Sequence, residues 1–415
     1  MTSVFIHNFG CRVNQAEAFD WTNQLIECGL FLERDWRRAE IIVVNSCALT
    51  GRAEADVRQF LRRVKKDAPQ AKIIVTGCLT EKTKEELNKN IKPALIIPNA
   101  LKNDLAAEVT RLSDGVKREV GPRFFRSRAL IKVQDGCDAR CTFCIIPSLR
   151  GSGRSVPLEI IKSKVERAVE QGYNEVVLAG IHLCAYGQDL SPKKSLLELL
   201  SELVRVPGLS LLRLSSLDPR LLATELLELL VSENKICPHF HLSLQHAAPP
   251  VLKKMGRKSS AEEYLQILNF LRQRRPESNL GADIIVGFPG ETEEDFIFLK
   301  NFLREAPLTY FHVFSYSPRS GTPAASWSQV NEAVKKERSE ELRRLSREKN
   351  LAFRKSFLGC FLPAVVVKAK GLQIEALTSN YLRVVLENHN GLKPRQLIRT
   401  RITDVQTSIT RGEVA

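Results

Sequence analysis

The apolar positions of the first hundred residues fall in short runs, separated by stretches with helical spacing. Residues 4–7 (VFIH), 41–45 (IIVVN) and 73–76 (IIVT) predict three strands, with helices at 16–27, at 53–66 and in the Glu/Lys-rich stretch after Thr80. Near-continuous apolar strands alternating with helices imply parallel pairing in a sheet covered on both faces. A basic, Gly/Pro-containing stretch at 111–128 reads as a linker, and the alternation then resumes with longer units. Strands are predicted at 130–134, 175–179, 209–215, 240–244, 280–286 and 309–314, with helices between them such as 196–204 and 261–272. Repeated strand–helix units of this kind fit a partial TIM-like barrel, with an open doubly wound sheet as the competing architecture.

Residues 330–357 are strongly charged, with Leu342, Leu345, Ala352 and Phe353 near helical spacing. They predict an amphipathic helix leading away from the barrel. The tail changes period: 362–370, 373–378, 381–387 and 397–405 predict short strands separated by Gly/Asn turns, a small all-β module of barrel type. The predicted fold is therefore α/β. It has an N-terminal parallel α/β sheet domain at 1–112, a partial (β/α)6 barrel at 126–350 and a small all-β barrel at 356–415.

Charge adds a class of partner. Lys+Arg outnumber Asp+Glu by 62 to 47, a formal net charge of +15. Nucleic acid is the commonest large polyanion for such a chain, although charge alone leaves a cationic protein without a polyanion partner open. Residues 362–415 carry eight Lys/Arg against four Asp/Glu, which suits a module facing a phosphate backbone. No apolar run reaches the ~18 residues of a membrane span. The opening MTSVFIHNFGC lacks the charged start, apolar stretch and cleavage site of a signal peptide. A cytoplasmic location without membrane contact is expected.

The chain has ten cysteines. In a reducing compartment, patterned cysteines point to metal or redox chemistry rather than disulfides. Cys137, Cys141 and Cys144 lie in GCDARCTFC, just past the first predicted barrel strand. Three thiolates this close hold three irons of a [4Fe–4S] cube and leave the fourth iron open. An open iron is what S-adenosylmethionine chelates through its amino and carboxylate groups. The alternatives are three unrelated buried cysteines, or zinc, which wants a fourth protein ligand that no nearby pair supplies. Phe143 is either a core aromatic or a surface for the adenine of that cofactor.

A second set is dispersed. Cys11, Cys47 and Cys78 are separated by 36 and 31 residues, but their contexts rhyme: VFIHNFGC, IIVVNSC and IIVTGC. Each stands just past the C-terminal end of a predicted parallel strand, where ligands bind in open α/β sheets. A second three-thiolate site follows, with small-hydrophobe packing as the alternative. The glycines before Cys11 and Cys78 suit tight turns around a bulky cluster. Cys28, Cys184, Cys237 and Cys360 show no ligand spacing and read as packing residues, Cys184 lying closest to a strand end.

Barrel active sites collect at the C-terminal ends of strands. Gly180, Ser215, Ser216, Gln245, His246, Gly287 and Gly290 all fall in that layer. Gly180 and Gly287 would let a cofactor approach the backbone, and Ser215 and Gln245 offer polar contacts. Turn chemistry or helix capping is the alternative for each, and Glu291 reads as a helix start. Arg257 and Lys258 read as solvated charges.

Taken together, these motifs resemble the methylthiotransferase family of radical S-adenosylmethionine enzymes over the whole chain. GCRVNQAEAF, CTFCIIPSLRG, LAGIHLCAYG and CPHFHLSLQHAAPPVLKKMGRK are most similar to the branch that acts on N6-threonylcarbamoyladenosine in tRNA. The resemblance implies an auxiliary [4Fe–4S] cluster on Cys11, Cys47 and Cys78, and a catalytic radical cluster with S-adenosylmethionine on Cys137, Cys141 and Cys144. It implies a TRAM-type RNA-binding module in the tail, a tRNA anticodon loop as partner, and an electron donor such as flavodoxin or ferredoxin. The reaction it implies adds methylthio to C2 of the base, whose C–H bond acid–base chemistry does not break, with the base extruded from its loop. Two departures touch the substrate pocket: LQHAAPP replaces a small polar Ser-Gly-Ser stretch, and Cys184 replaces a common glycine. The same chemistry on isopentenyladenosine or a ribosomal protein is one alternative. A non-catalytic, metal-stabilised RNA-binding protein is another.

Overall fold

In the computed structural model, the described residues are 2–113, 126–370, 373–386 and 391–415. Most of the predicted linker, the predicted turn at 371–372, the last residue of the predicted strand 381–387 and the turn residues 388–390 lie outside them. The three apolar runs form the strands Ser3–Asn8, Ile41–Ser46 and Lys72–Gly77, side by side and parallel, with short strands Phe31–Leu32 and Leu95–Ile97 at the edges. The edge strands were not legible, because runs this short carry no periodicity. Ile41, Ile42, Val43 and Val44 are fully buried, as a strand covered on both faces requires.

The second unit has six parallel strands in chain order: Ala129–Asp135, Glu175–Gly180, Leu211–Leu214, His239–Gln245, Asn279–Val286 and Tyr310–Ser315. Sequential neighbours exclude the doubly wound alternative, whose strand order reverses. Between the third and fourth strands the ladder thins to isolated bridges at Leu212–Ile236 and Leu217–Leu242.

The helix Arg12–Glu27 joins the two units. Val13, Ala16 and Phe19 pack into the barrel core, while Ala18, Trp21 and Leu25 pack under the N-terminal sheet. Reciprocally, Ile145 and Leu149 of the barrel pack into the N-terminal core beside Cys78 and Leu79.

The helix Glu332–Lys355 does not lead away from the barrel, contrary to expectation. It lies along the edge strand Tyr310–Ser315, where the Ser346 hydroxyl accepts from Phe311 N and donates to Phe311 O, both at 2.8 Å. Leu342 is fully buried there. An open strand edge with unpaired backbone groups needs such cover. The tail is a closed barrel of Phe361–Lys370, Gln373–Thr378, Arg383–Leu386, Leu397–Val405 and Thr410–Val414. The last strand is short and polar and was not anticipated. Phe353 and Phe357, at the end of the long helix, pack into this barrel's core. No helix among the described residues is long and apolar enough to cross a membrane.

Candidate active site between two cysteine triads

Cys11 caps the helix Arg12–Glu27, and Cys47 and Cys78 directly follow their strands. Because the three parent strands are adjacent, the three thiols converge at one sheet end. Gly10 and Gly77 both adopt positive φ, near 91° and 92°. A Cβ on Gly10 would stand 2.8 Å from both Cβ and Sγ of Cys47, so a side chain there is excluded twice over. Asn14 stitches the turn by donating to Phe9 O at 2.9 Å and Ser46 O at 3.0 Å. Burial pushes the Cys47 thiol up to about 11 and raises Cys11 against the pull of the Arg150 guanidinium. Thiols in such surroundings ionise only beside a compensating positive centre, a role that a multi-iron cluster fills.

In the barrel, Gly136 turns the chain out of the strand Ala129–Asp135 with φ near 70°. A Cβ there would lie 2.0 Å from Ser152 O. The Cys137 Sγ lies 3.7 Å from His182 Nδ1 and accepts from Ala139 N at 3.4 Å. His182 Nε2 is held 3.1 Å from Asp218 Oδ2, and its backbone N–H donates to Gln134 Oε1 at 2.8 Å. Burial opposes ionisation of Cys137, yet His182 and the Ala139 N–H bring its thiol below the ordinary value. Burial raises Cys141 against the pull of Arg257 and Arg220, and pushes Cys144 up to about 11.

A buried charge network joins the triads. Arg150 Nη1 donates to Asp135 Oδ1 at 2.7 Å and to Glu17 Oε1 at 3.2 Å, and its Nη2 donates to Asn14. Lys102 Nζ adds contacts at 2.5 Å to Glu17 and 3.5 Å to Asp135. Asp135 precedes the Cys137 turn, Arg150 follows Cys144, and Glu17 and Asn14 follow Cys11. These cations outweigh burial and hold both carboxyls below the usual carboxylate range. Both acids therefore stay ionised, and the network ties each cysteine loop to the other.

Beside Cys11 opens a cavity of about 620 Å3, within the range of small-molecule sites. Gly10, Cys11, Arg12, Gly180, Ser215 and Ser216 border it, and it runs into the barrel lumen past Arg213, His239, His241, Asp283, Tyr310 and His312 to Tyr381 of the tail. Gly180 N donates to Ser215 Oγ at 3.3 Å. A smaller cavity of about 180 Å3 is bordered by Phe143, Cys144, Gln245, Asp283 and Tyr316.

A radical SAM superfamily model matches residues 131–303, and the model of the uncharacterized protein family UPF0004 matches residues 3–97. The threonylcarbamoyladenosine tRNA methylthiotransferase MtaB of Aquifex aeolicus is 36% identical over 403 residues, covering 93% of this chain and 97% of the relative. The chain belongs to the radical S-adenosylmethionine methylthiotransferase family. Its cofactors are accordingly S-adenosylmethionine and [4Fe–4S] clusters. Another methylthiotransferase, the ribosomal protein uS12 enzyme RimO of Carboxydothermus hydrogenoformans, is 32% identical over 99% of this chain and 98% of its own. The radical S-adenosylmethionine methyltransferase TsrM of Kitasatospora setae shares the fold, with a TM-score of 0.58 at 15% identity over 78% of this chain and 77% of its own.

The candidate site residues fall in different parts of this methylthiotransferase. Gly180 and Ser215 border the large cavity, and Phe143 and Gln245 border the small one with Cys144. Gly287 borders neither: its φ is near 68°, and a Cβ would lie 2.3 Å from Lys335 Cγ, so it serves the packing of the long helix. Glu291 is buried against Arg338 at 2.7 Å and is no mere helix start. Arg257 is not a solvated charge. It is buried, donates to Ser243 O at 2.6 Å and lies 3.6 Å from Asp218. Cys28 and Cys360 are exposed rather than packed, while Cys184 and Cys237 are buried.

The sequence reading missed His182, Asp218 and the polar lumen. A signal for the lumen existed in HFHLSLQ. Phe240, Leu242 and Leu244 are buried toward the helices, so the alternate positions His239, His241 and Ser243 point to the other face. In a barrel that face is the lumen.

Proposed function

We propose that this chain adds a methylthio group to C2 of N6-threonylcarbamoyladenosine beside the anticodon of tRNA, in the cytoplasm. The observation that carries the reading is a pair of three-cysteine sets whose loops are tied to each other by the buried Arg150–Glu17–Asp135 network. Cys11, Cys47 and Cys78 hold the auxiliary cluster, and Cys137, Cys141 and Cys144 hold the radical cluster. Phe143, Gly180, Ser215 and Gln245 lie on the S-adenosylmethionine side, and Gly287 supports the wall behind them. When bound, the clusters and S-adenosylmethionine would supply a 5′-deoxyadenosyl radical and a sulfur-bearing centre.

The chain's own residues do the positioning. Asp218 fixes His182, and His182 fixes the Cys137 sulfur. Arg257 and Arg220 place positive charge near Cys141, and the Arg150 network sets the separation of the two loops. Three functional divisions follow: 1–112 for the auxiliary cluster, 126–350 for radical chemistry and 356–415 for RNA. An electron carrier such as flavodoxin or ferredoxin completes the system. The substrate is favoured by the name of the Aquifex relative and by the chain's positive charge, and the RimO relative makes a ribosomal protein the second reading.

The test is mass spectrometry of tRNA nucleosides from cells lacking the gene, complemented with the wild-type gene or Cys141→Ala. The 2-methylthio derivative of threonylcarbamoyladenosine should vanish in the deletion and return only with the wild type. An unchanged nucleoside pool would move the search to ribosomal proteins.

A further inference from the structure

Barrel lumens are ordinarily packed with layers of branched apolar side chains. Here the lumen is open and polar, and among the described residues Arg12 at its rim has no carboxylate partner. Arg213 is buried and donates to Glu175 at 2.6 Å, a carboxylate it shares with Arg128 at 3.3 Å, and its other donors go to Ser379 O and Thr378 O at 2.9 and 3.2 Å. Arg12 differs. Its Nη1 donates to Gln15 Oε1 at 3.1 Å and its Nη2 to the Tyr381 hydroxyl, both neutral, and among the described residues it pairs with no carboxylate.

Arg12 also opens the helix Arg12–Glu27, whose first turn contains no acidic residue and whose cap makes no side-chain hydrogen bond. The positive end of that helix borders the cavity, and its first turn brings no carboxylate to compete for Arg12. On the facing wall His239 is 7% exposed. Its Nε2 is engaged by the Tyr310 hydroxyl at 2.8 Å, and its ring stacks on Tyr381 at 4.1 Å. Its Nδ1 has no partner among the described residues. Further along, Asp283 is committed to His241 at 3.1 Å.

We propose that Arg12, with Tyr381 and His239, forms a carboxylate-binding subsite that takes the threonyl carboxylate of the substrate. The inference rests on the threonylcarbamoyladenosine reading and deepens it by naming the residue that selects that substituent. A guanidinium meets a carboxylate through two parallel donors. His239 backs the Tyr381 ring that shares the site with Arg12. An isopentenyl group has no atom for the Arg12 donors. Tyr381 comes from the tail barrel, with φ near 71°. The RNA-binding module thus supplies part of the wall that reads the modified base, and correct docking of the tail becomes a condition for specificity.

The experiment uses the cluster-loaded holoenzyme and two anticodon stem-loops, one with threonylcarbamoyladenosine and one with its neutral carboxamide analogue. Dissociation constants are measured at one salt concentration for the wild type, Arg12→Gln and Arg12→Lys. The wild type should prefer the carboxylate loop by about ten- to a hundredfold, as for a charge-assisted bond in a shielded site. Arg12→Gln should bind both loops equally, and Arg12→Lys should keep part of the preference.

A wild-type ratio retained in Arg12→Gln, with normal iron content, overturns the subsite even when cellular tRNA confirms the substrate. If Arg12→Gln fails to hold iron, Arg12→Lys decides: a reduced ratio supports the subsite and an unchanged one overturns it. A wild type without preference, in cells whose tRNA lacks the methylthio nucleoside, overturns subsite and substrate together.

Discussion

Cys137, Cys141 and Cys144 occupy one loop of a single strand–helix unit, whereas Cys11, Cys47 and Cys78 come from three adjacent strand ends. The central thiols are all partly exposed, and Cys137 is drawn below its ordinary pKa by a histidine. In the N-terminal set Cys47 and Cys78 are buried, and the cation that acts on Cys11 and Cys47, Arg150, belongs to the barrel. A local loop carries its own geometry and leaves room for an incoming cofactor. A site assembled from a sheet is rigid and enclosed, and it depends on the neighbouring unit for its charge balance. Identical donors thus stand in two environments, one open and self-contained, the other enclosed and dependent on its neighbour for charge.

The sharpest way to break the comparison is to remove one thiol from each set. Cys47→Ala and Cys141→Ala should each lower iron from about eight to about four per chain. Reductive cleavage of S-adenosylmethionine should survive only in Cys47→Ala, at near wild-type rate. Equal loss of cleavage in both variants would end the division of labour.

Next in size is the joint between the units. Arg150→Met removes a fully buried guanidinium and leaves Glu17 and Asp135 short of a partner, which should cost about 3–5 kcal/mol in denaturant unfolding. Iron should be lost from the N-terminal set first. The same joint predicts a pH response. Asp135 and Glu17 are held below their ordinary pKa values, so their contribution is present above the unfolded carboxyl values and lost only as pH falls below about 4. Stability should therefore be flat from pH 7 to 5 as far as these groups are concerned. A loss already under way at pH 6 that Arg150→Met abolishes would show that the carboxyls titrate differently.

The smallest expected effect is Gly10→Ala. The left-handed φ alone costs about 1–2 kcal/mol, and the added methyl meets Cys47. Iron should fall in the N-terminal set while S-adenosylmethionine cleavage persists. Full iron occupancy in this variant would mean that the Gly10 turn relaxes.

Much of this was written locally. The spacing of Cys137, Cys141 and Cys144, the apolar runs before Cys11, Cys47 and Cys78, and the six-strand alternation are short-range patterns, and each reflects one element's own hydrogen bonding and burial. The tail's change of period was equally plain, except for Thr410–Val414, whose polar residues carry no apolar alternation. Tertiary structure alone decided what depends on contacts between distant residues. Arg257 looked like a solvated charge because its partner Asp218 lies 39 positions away. The long helix looked detached because nothing in its own residues announces the strand edge that Ser346 covers. The link from Arg12 to Tyr381 spans 369 positions. Local sequence fixes periodicity and ligand spacing, since these follow from backbone geometry. Which charge meets which, and which lumen stays open, follows only once packing has brought the three units together.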